Sequence, residues 1–219
     1  MSRPTLTSNA LIREAKTFAG LQAALRVPEL FGVTDGKAVG THIEKAFKAY
    51  LAKNYDFESG NSAKGIDFPG LAVDVKVTSV DQPQSSSPFK SARQKIFGLG
   101  YSLLVFVYQK SDNPKNRVAI LDMRHTIYVD AARTADFQMS TGLKKIIENE
   151  GNVEDLIAFM RDKNLPVDEI EANIIAAELL KAGTLEIGYL TISNALQWRL
   201  QYARVIEKAG IVAGIARVR

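Results

Sequence analysis

The stretch from residue 71 to residue 78 limits more than any other feature what this chain can form, because its side chains alternate in character one by one. Successive side chains of a β-strand point to opposite faces. One face would carry the aliphatic residues Leu71, Val73, Val75 and Val77. The other face would carry Ala72, Asp74, Lys76 and Thr78. The pattern therefore predicts a strand with one hydrophobic face, and with an acid and an amine side by side on the other.

A second acid, Asp67, precedes the turn signal Phe68-Pro69-Gly70. A tight turn at Pro and Gly would fold Asp67 back beside Asp74. Two carboxylates a few ångströms apart repel each other, and a divalent cation between them relieves that repulsion. Lys76 would then lie close enough to hold or deprotonate a water. The sequence thus predicts a cation site made of two carboxylates and completed by a lysine.

The spacing of these residues is that of a compact PD-(D/E)xK motif, with six residues between Asp67 and Asp74-x-Lys76. The run from Asp67-Phe68-Pro69 to Val77-Thr78, followed by Val80-Asp81 and Pro88-Phe89, resembles the MutH branch of the PD-(D/E)xK nuclease superfamily. That branch contains a mismatch-repair nicking enzyme and some type II restriction endonucleases. Members of this branch usually have Glu before x-Lys, whereas the wider superfamily also has Asp at that position. Asp74 therefore fits the superfamily motif better than the branch motif. The resemblance covers residues 60 to 90.

The resemblance implies an α/β, restriction-endonuclease-like fold, in which helices flank a mixed central sheet. It also implies a nuclease that acts on double-stranded DNA with Mg2+ as cofactor and with Mn2+ as the substitute ion. Asp67, Asp74 and the backbone carbonyl of Val75 would bind the metal, and Lys76 would contact the attacking water or a phosphate oxygen. Such enzymes commonly cut palindromes as twofold dimers, so the resemblance implies a homodimer.

Glu44 has two possible roles. In many nucleases of this kind, an acid from the helix before the core strand joins the metal site. Glu44 lies on such a helix, predicted from Thr41 to Tyr55. However, Thr41-x-x-Glu44 is also a capping box, in which Glu44 would bind the backbone amide of Thr41 in the first helical turn. Glu44 is therefore either a third carboxylate of the metal site or a helix cap.

Composition argues against several other kinds of site. The 219 residues include no cysteine and two isolated histidines, which rules out disulfides and thiolate ligands and argues against zinc. Any metal would be bound by oxygen, which favours magnesium or manganese. The N-terminal residues form no apolar run, so we expect no signal peptide or membrane segment and a cytoplasmic protein.

We expect two regions. Residues 1–150 form the catalytic domain that the resemblance implies, and a helical region over 151–219 follows the break in the pattern at Gly151 and Asn152. In the first, helices are expected at 5 to 26 and 41 to 55, and strands at 101 to 108 and 117 to 123. Leu11, Ala15, Phe18 and Leu21 form the apolar stripe of the first helix. In the second region, helices are expected at 153 to 163, 168 to 182 and 193 to 209.

Two basic segments are candidates for DNA binding. The polar loop at residues 82 to 88 leads into Lys90, Arg93, Gln94 and Lys95. The segment from residue 81 to 117 contains six basic and two acidic residues. The segment from residue 193 to 219 contains one acidic and five basic residues, among them Arg199 and Arg204. Such groups suit phosphates and base edges, and the second segment suits a helix-turn-helix or winged-helix module. A solvated loop and an ordinary helical bundle remain the alternatives.

Three hypotheses follow. The first is a magnesium-dependent type II restriction endonuclease that cleaves double-stranded DNA at a short specific sequence. The second keeps the chemistry but assigns it to a MutH-like repair enzyme that nicks one strand. The third is a non-catalytic DNA-binding protein, in which these acids are solvated residues on the surface of a strand.

Overall fold

A computed structural model describes residues 3–60, 65–193 and 198–219. The chain forms two compact units, each assembled from separate segments. The first unit contains the residues up to Ser85, Leu103–Val129 and Lys208–Arg219, and the second contains Ser86–Ser102 and Asp130–Glu207. This division differs from the predicted one at residue 150. The reason is that the first unit contains a sheet whose strands come from segments far apart in the sequence.

The protein is a mixed α/β chain, as predicted. In chain order its helices and strands are α1 (Ser8–Ala24), α2 (Gly36–Leu51), β1 (Val73–Ser79), β2 (Gln84–Ser87), α3 (Arg93–Phe97), β3 (Ser102–Asn113), β4 (Val118–Val129), α4 (Phe137–Glu148), α5 (Val153–Asp162), α6 (Glu169–Ala182), β5 (Thr191–Ser193), β6 (Trp198–Gln201), α7 (Ala203–Lys208) and β7 (Ile215–Arg217).

The central sheet lies in the first unit and has the strand order β1-β3-β4-β7. β3 and β4 form an antiparallel hairpin in which Leu104 lies opposite Tyr128. β7 pairs antiparallel with the other side of β4, so the C-terminal segment forms one edge of the sheet. The side chains from Leu103 to Val107 are all fully buried, so this part of the predicted strand at 101 to 108 is covered on both faces.

Helices α1 and α2 pack into one core with β1, β3 and β4. The Thr7 side chain caps α1 by accepting a hydrogen bond from the Ala10 amide at 3.2 Å. The predicted stripe of α1 is confirmed except at its end, where Leu21 is 54% exposed and Gln22 is buried instead. On α2 the buried face consists of Val39, Gly40, Ile43, Phe47 and Leu51. This core supports the strand that carries Asp74 and Lys76.

The second unit contains the helices α3 to α6, which share one hydrophobic core. The predicted helices at 153 to 163 and 168 to 182 are confirmed as α5 and α6. Asn152 and Asp155 form a capping box at the start of α5, and Asp168 caps α6 by accepting a hydrogen bond from the Glu171 amide.

The predicted helix at 193 to 209 is wrong, although its residues 194–197 lie outside the described part of the chain. β5 and β6 pair antiparallel, with Ile192 opposite Leu200, and the short α7 follows. Trp198, Leu200 and Tyr202 are buried while Arg199 and Gln201 are exposed. This period of two is that of a strand, and the hydrophobic side chains on its buried face decide the structure.

Among the helices that the structure describes, none has the length and apolar character needed to cross a bilayer.

Candidate active site

A short turn brings Asp67 back beside Asp74. Phe68 and Val73 exchange backbone hydrogen bonds of 2.9 and 3.2 Å, which form an antiparallel bridge. Between them a single 3-10 turn runs over Pro69–Leu71, and Ala72 closes it with a left-handed φ of 51°. The next pair outward from this bridge is Asp67 and Asp74. The predicted proximity of the two acids is therefore confirmed, but β1 begins at Val73, so Leu71 and Ala72 belong to the turn and not to the strand.

Asp67 is held by three groups. Its Oδ2 accepts a hydrogen bond from the Val75 amide at 2.9 Å, and its Oδ1 lies 2.5 Å from Lys48 Nζ. Its backbone carbonyl accepts a hydrogen bond from the Gly60 amide at 2.8 Å. Burial raises the pKa of the Asp67 carboxyl, but the Asp74 carboxyl, the Lys48 ammonium and the Val75 amide together bring that pKa below its usual value. Asp67 therefore carries its negative charge at neutral pH.

Asp74 is almost completely buried, with 4% of its surface exposed. Lys76 Nζ lies 2.8 Å from Asp74 Oδ2 as an ion pair but outside hydrogen-bonding geometry. Within the described residues this buried oxygen has no hydrogen bond. Burial, supported by the neighbouring Asp67, raises the pKa of the Asp74 carboxyl to about 6, against the opposing effect of Lys76. This oxygen is buried and carries negative charge, and its contact with the Lys76 ammonium shows that it accepts a cationic partner.

Lys48 is a member of the site that the sequence motif does not contain. It lies on α2 one helical turn after Glu44, and its ion pair with Asp67 is largely buried, with side-chain exposures of 25% for Lys48 and 17% for Asp67. A signal for it was present, because residues four apart on a helix share a face. Once Glu44 is assigned to the site, helical periodicity places Lys48 beside it.

Glu44 lies close to the carboxylate pair and does not cap its helix. α2 begins at Gly36 and is capped by Asp35, whose side chain accepts a hydrogen bond from the Lys37 amide at 2.9 Å. The capping-box alternative is therefore wrong. Burial raises the pKa of Glu44 to about 7, and the negative charge of Asp67 contributes to this shift. Glu44 therefore belongs to the same electrostatic cluster as Asp67.

The donor atoms fit a hard cation such as Mg2+, because they are carboxylate oxygens, and within the described residues Asp74 Oδ2 accepts no hydrogen bond. Over residues 3–60, 65–193 and 198–219, no three acidic or histidine side chains converge in a geometry that would hold a metal by themselves. This agrees with the usual magnesium site, which takes one or two carboxylates and completes its shell with water and substrate phosphate. Lys48 and Lys76 balance part of the negative charge of the cluster.

The candidate DNA-binding residues all belong to the second unit. Lys90 is exposed in the loop before α3, and Arg199 is exposed on β6. The other four have partners within the unit. Arg93 forms ion pairs with Glu171 and Glu178 of α6.

The remaining three candidates are held by local contacts. The Gln94 side chain donates a hydrogen bond to the Leu99 carbonyl at 3.1 Å. Lys95 is 7% exposed, and burial lowers the pKa of its ammonium although the nearby Asp136 opposes this effect. Arg204 donates a hydrogen bond to Thr191 Oγ1 and stacks over the ring of Phe137. Of the six candidates, Lys90 and Arg199 are the two that are exposed at the surface of the second unit and could contact DNA without giving up a partner described above.

Comparison with known proteins gives two matches and one negative result. Residues 5–217 match the family model described as type II restriction enzyme NspV. The chain is also 64% identical over 213 residues to the type II restriction enzyme NspV of Nostoc sp. (strain ATCC 29411 / PCC 7524). That alignment covers 97% of this chain and 96% of the Nostoc protein. No solved structure matches this chain.

Proposed function

Because the chain belongs to the type II restriction enzyme NspV family, it is a restriction endonuclease, and we propose that it cleaves double-stranded DNA at a short specific sequence with Mg2+ as its cofactor. The observation that carries the proposal is the convergence of Asp67, Asp74 and Lys76 at the turn before β1. Mn2+ would substitute for Mg2+, since both prefer oxygen ligands.

We also propose that the chain is a member of the PD-(D/E)xK superfamily with a restriction-endonuclease-like fold. The support is the order of the parts in the sequence. A helix carries Glu44, a tight turn delivers Asp67, and the strand that follows carries Asp74 and Lys76. This order and spacing match the motif on which the resemblance rests.

In the proposed mechanism, Asp67, Asp74 and the Val75 carbonyl would hold the ion. When bound, the ion acts as a Lewis acid that activates a water and neutralises charge on the scissile phosphate. Asp74 orients the Lys76 ammonium by the ion pair at 2.8 Å, and Lys76 in turn positions the attacking water or a phosphate oxygen. Glu44 adds a negative charge that attracts cations to the cluster.

We assign DNA recognition to the second unit, through Lys90, Arg93, Gln94 and Lys95 around α3 and through Arg199 and Arg204 near β6. Lys90 and Arg199 bind phosphate directly, because both are exposed and positively charged. The other four residues must exchange an internal partner for DNA. We further propose a homodimer, since a twofold assembly matches a palindromic site, and sedimentation of a species with twice the mass of one chain would test it.

The test of the function is direct. Phage DNA and supercoiled plasmid are incubated with the protein, with and without Mg2+. A restriction endonuclease produces discrete fragments only when the ion is present. A repair enzyme of the MutH kind would produce nicked circles instead, and a protein that only binds DNA would leave both substrates intact. The 64% identity to a restriction enzyme over 97% of the chain favours the first result.

A further inference from the structure

The ammonium of Lys48 lies against Asp67 Oδ1, an oxygen through which Asp67 would bind a metal ion. Lys48 Nζ lies 2.5 Å from Asp67 Oδ1, and both side chains are largely buried. The other oxygen of Asp67 is bound to the Val75 amide. A cation that approaches Asp67 therefore meets an oxygen that already has a positive partner.

The charges of the cluster favour the departure of one ammonium when a divalent cation binds. When ionised, Glu44, Asp67 and Asp74 carry three negative charges, and two positive charges come from Lys48 and Lys76. A divalent cation added to this set would leave an excess of positive charge in a site shielded from water. If Lys48 withdraws, the remaining groups and the ion balance, so loading the site favours the departure of one ammonium.

Of the two lysines, Lys48 is the one that is freer to leave. Asp67 is tied to the sheet by the Val75 amide, so it stays in place. Lys48 reaches Asp67 from a different element, α2, on a flexible four-carbon stem. Its side chain is also the more exposed, at 25% against 16% for Lys76.

We propose that Lys48 is the resident counter-ion of Asp67, which a divalent cation must displace, so that Lys48 sets the cation concentration at which the site fills. This inference rests on the proposed function, because it requires Asp67 and Asp74 to bind the ion. Lys48 is a positioning residue in this scheme. It holds Asp67 in place without metal, and it competes for the same oxygen when metal is present.

The test is a calorimetric titration of the protein with MnCl2 in the absence of DNA, so that no cleavage is involved. Lys48→Met keeps the length of the side chain and removes its charge. We expect this variant to bind Mn2+ roughly tenfold more tightly than the wild type, as removal of one nearby positive charge in a partly screened site should produce. Lys45→Met is the matched control, because Lys45 is exposed on the same helix and its substitution changes the net charge equally. Its affinity should equal that of the wild type.

A second measurement separates competition from a purely structural role. In EDTA, Lys48→Met should melt at a lower temperature than Lys45→Met, because its carboxylates lack a counter-ion, and Mn2+ should restore more of its stability. Lys48→Arg keeps the charge and should return the Mn2+ affinity toward the wild-type value. Lys48→Gln replaces Lys48→Met if the latter fails to fold.

The outcomes distinguish this inference from the proposed function. If Lys48→Met and Lys48→Gln bind Mn2+ no more tightly than the wild type, while Asp74→Asn binds it more weakly, the counter-ion role is overturned and the metal site stands. If Mn2+ binds equally to the wild type and to Asp74→Asn, the proposed metal site itself is wrong, and the inference is overturned with it.

Discussion

The Asp67 carboxylate accepts a hydrogen bond from the Val75 amide at 2.9 Å, which fixes the acid of the turn to the strand that bears Asp74 and Lys76. The same carboxylate binds Lys48 through its other oxygen. Helix α2 and strand β1 thus both contact the side chain of Asp67.

Lys76→Met should reduce the rate of DNA cleavage by at least about 10², because removing a preorganised charge from a reacting centre typically costs that much. The measurement is single-turnover cleavage of a plasmid with Mg2+. Lys45→Met is the control and should cleave at the wild-type rate, since Lys45 is exposed on α2. A Lys76→Met protein with wild-type cleavage would remove Lys76 from the mechanism.

Gly60→Ala should disturb Asp67 without touching the carboxylates. A Cβ at residue 60 would lie 1.7 Å from the Ile66 carbonyl oxygen, so the backbone before Asp67 would have to shift. We expect the free energy of unfolding in urea to fall by about 1–3 kcal/mol, the usual cost of overpacking, and cleavage to fall with it. Gly70→Ala is the control, because a Cβ there meets no atom within 4 Å, and its stability should change by less than about 0.5 kcal/mol. Equal stability of the two variants would contradict the close contact.

The metal-free protein should lose stability as the pH rises toward neutrality. Burial raises the pKa of Glu44 from 4.5 to about 7, so between these values the folded state binds more protons than the unfolded state. The favourable contribution is present at low pH and is lost as the pH rises through the folded pKa. Melting temperatures in EDTA should therefore decline between pH 5 and about 7.5 more steeply for the wild type than for Glu44→Gln. Glu154→Gln, at an exposed position of α5, should keep the wild-type slope.

Lys90→Met and Arg199→Met should each weaken DNA binding to all sequences alike. Both residues are exposed in the second unit, and loss of one phosphate contact should reduce the salt dependence of log K by about 1. Fluorescence anisotropy with labelled duplexes in EDTA at several salt concentrations measures this slope. Lys181→Met, an exposed lysine on α6, is the control for lost positive charge. A slope unchanged from that of Lys181→Met would show that the residue does not contact phosphate.

The turn and the strand at the site could be predicted because their signals are local. Proline and glycine after Phe68 favour a tight turn, and the alternation that includes Val73 and Val75 indicates a strand. Together these fix Asp67 beside Asp74. The signal for Lys48 is less direct. Its spacing places it on the same face of α2 as Glu44, but its contact with Asp67 depends on how α2 packs against β1.

The errors elsewhere also have physical causes. The predicted start of α2 is Thr41, but the helix begins at Gly36, because Asp35 is a good helix cap. The first turns of the helix contain Gly36 and Gly40, which lower helix propensity and so weaken the sequence signal for this start. The helix predicted at 193 to 209 had apolar residues at both helical and strand spacings. Burial of Trp198 and Leu200 on one face of a hairpin decided between them, and this depends on tertiary packing.

The most direct test of the central claim is cleavage of phage DNA by wild-type protein and Asp74→Asn side by side, with Mg2+ or EDTA. Because burial raises the pKa of Asp74 to about 6, a neutral side chain is tolerated there, and the variant should fold with a melting temperature at least equal to that of the wild type. We predict discrete fragments from the wild type with Mg2+ alone, and intact DNA from the folded variant in both buffers. Wild-type cleavage by Asp74→Asn, or fragments formed by the wild type in EDTA, would contradict a metal-dependent carboxylate site at the turn before β1.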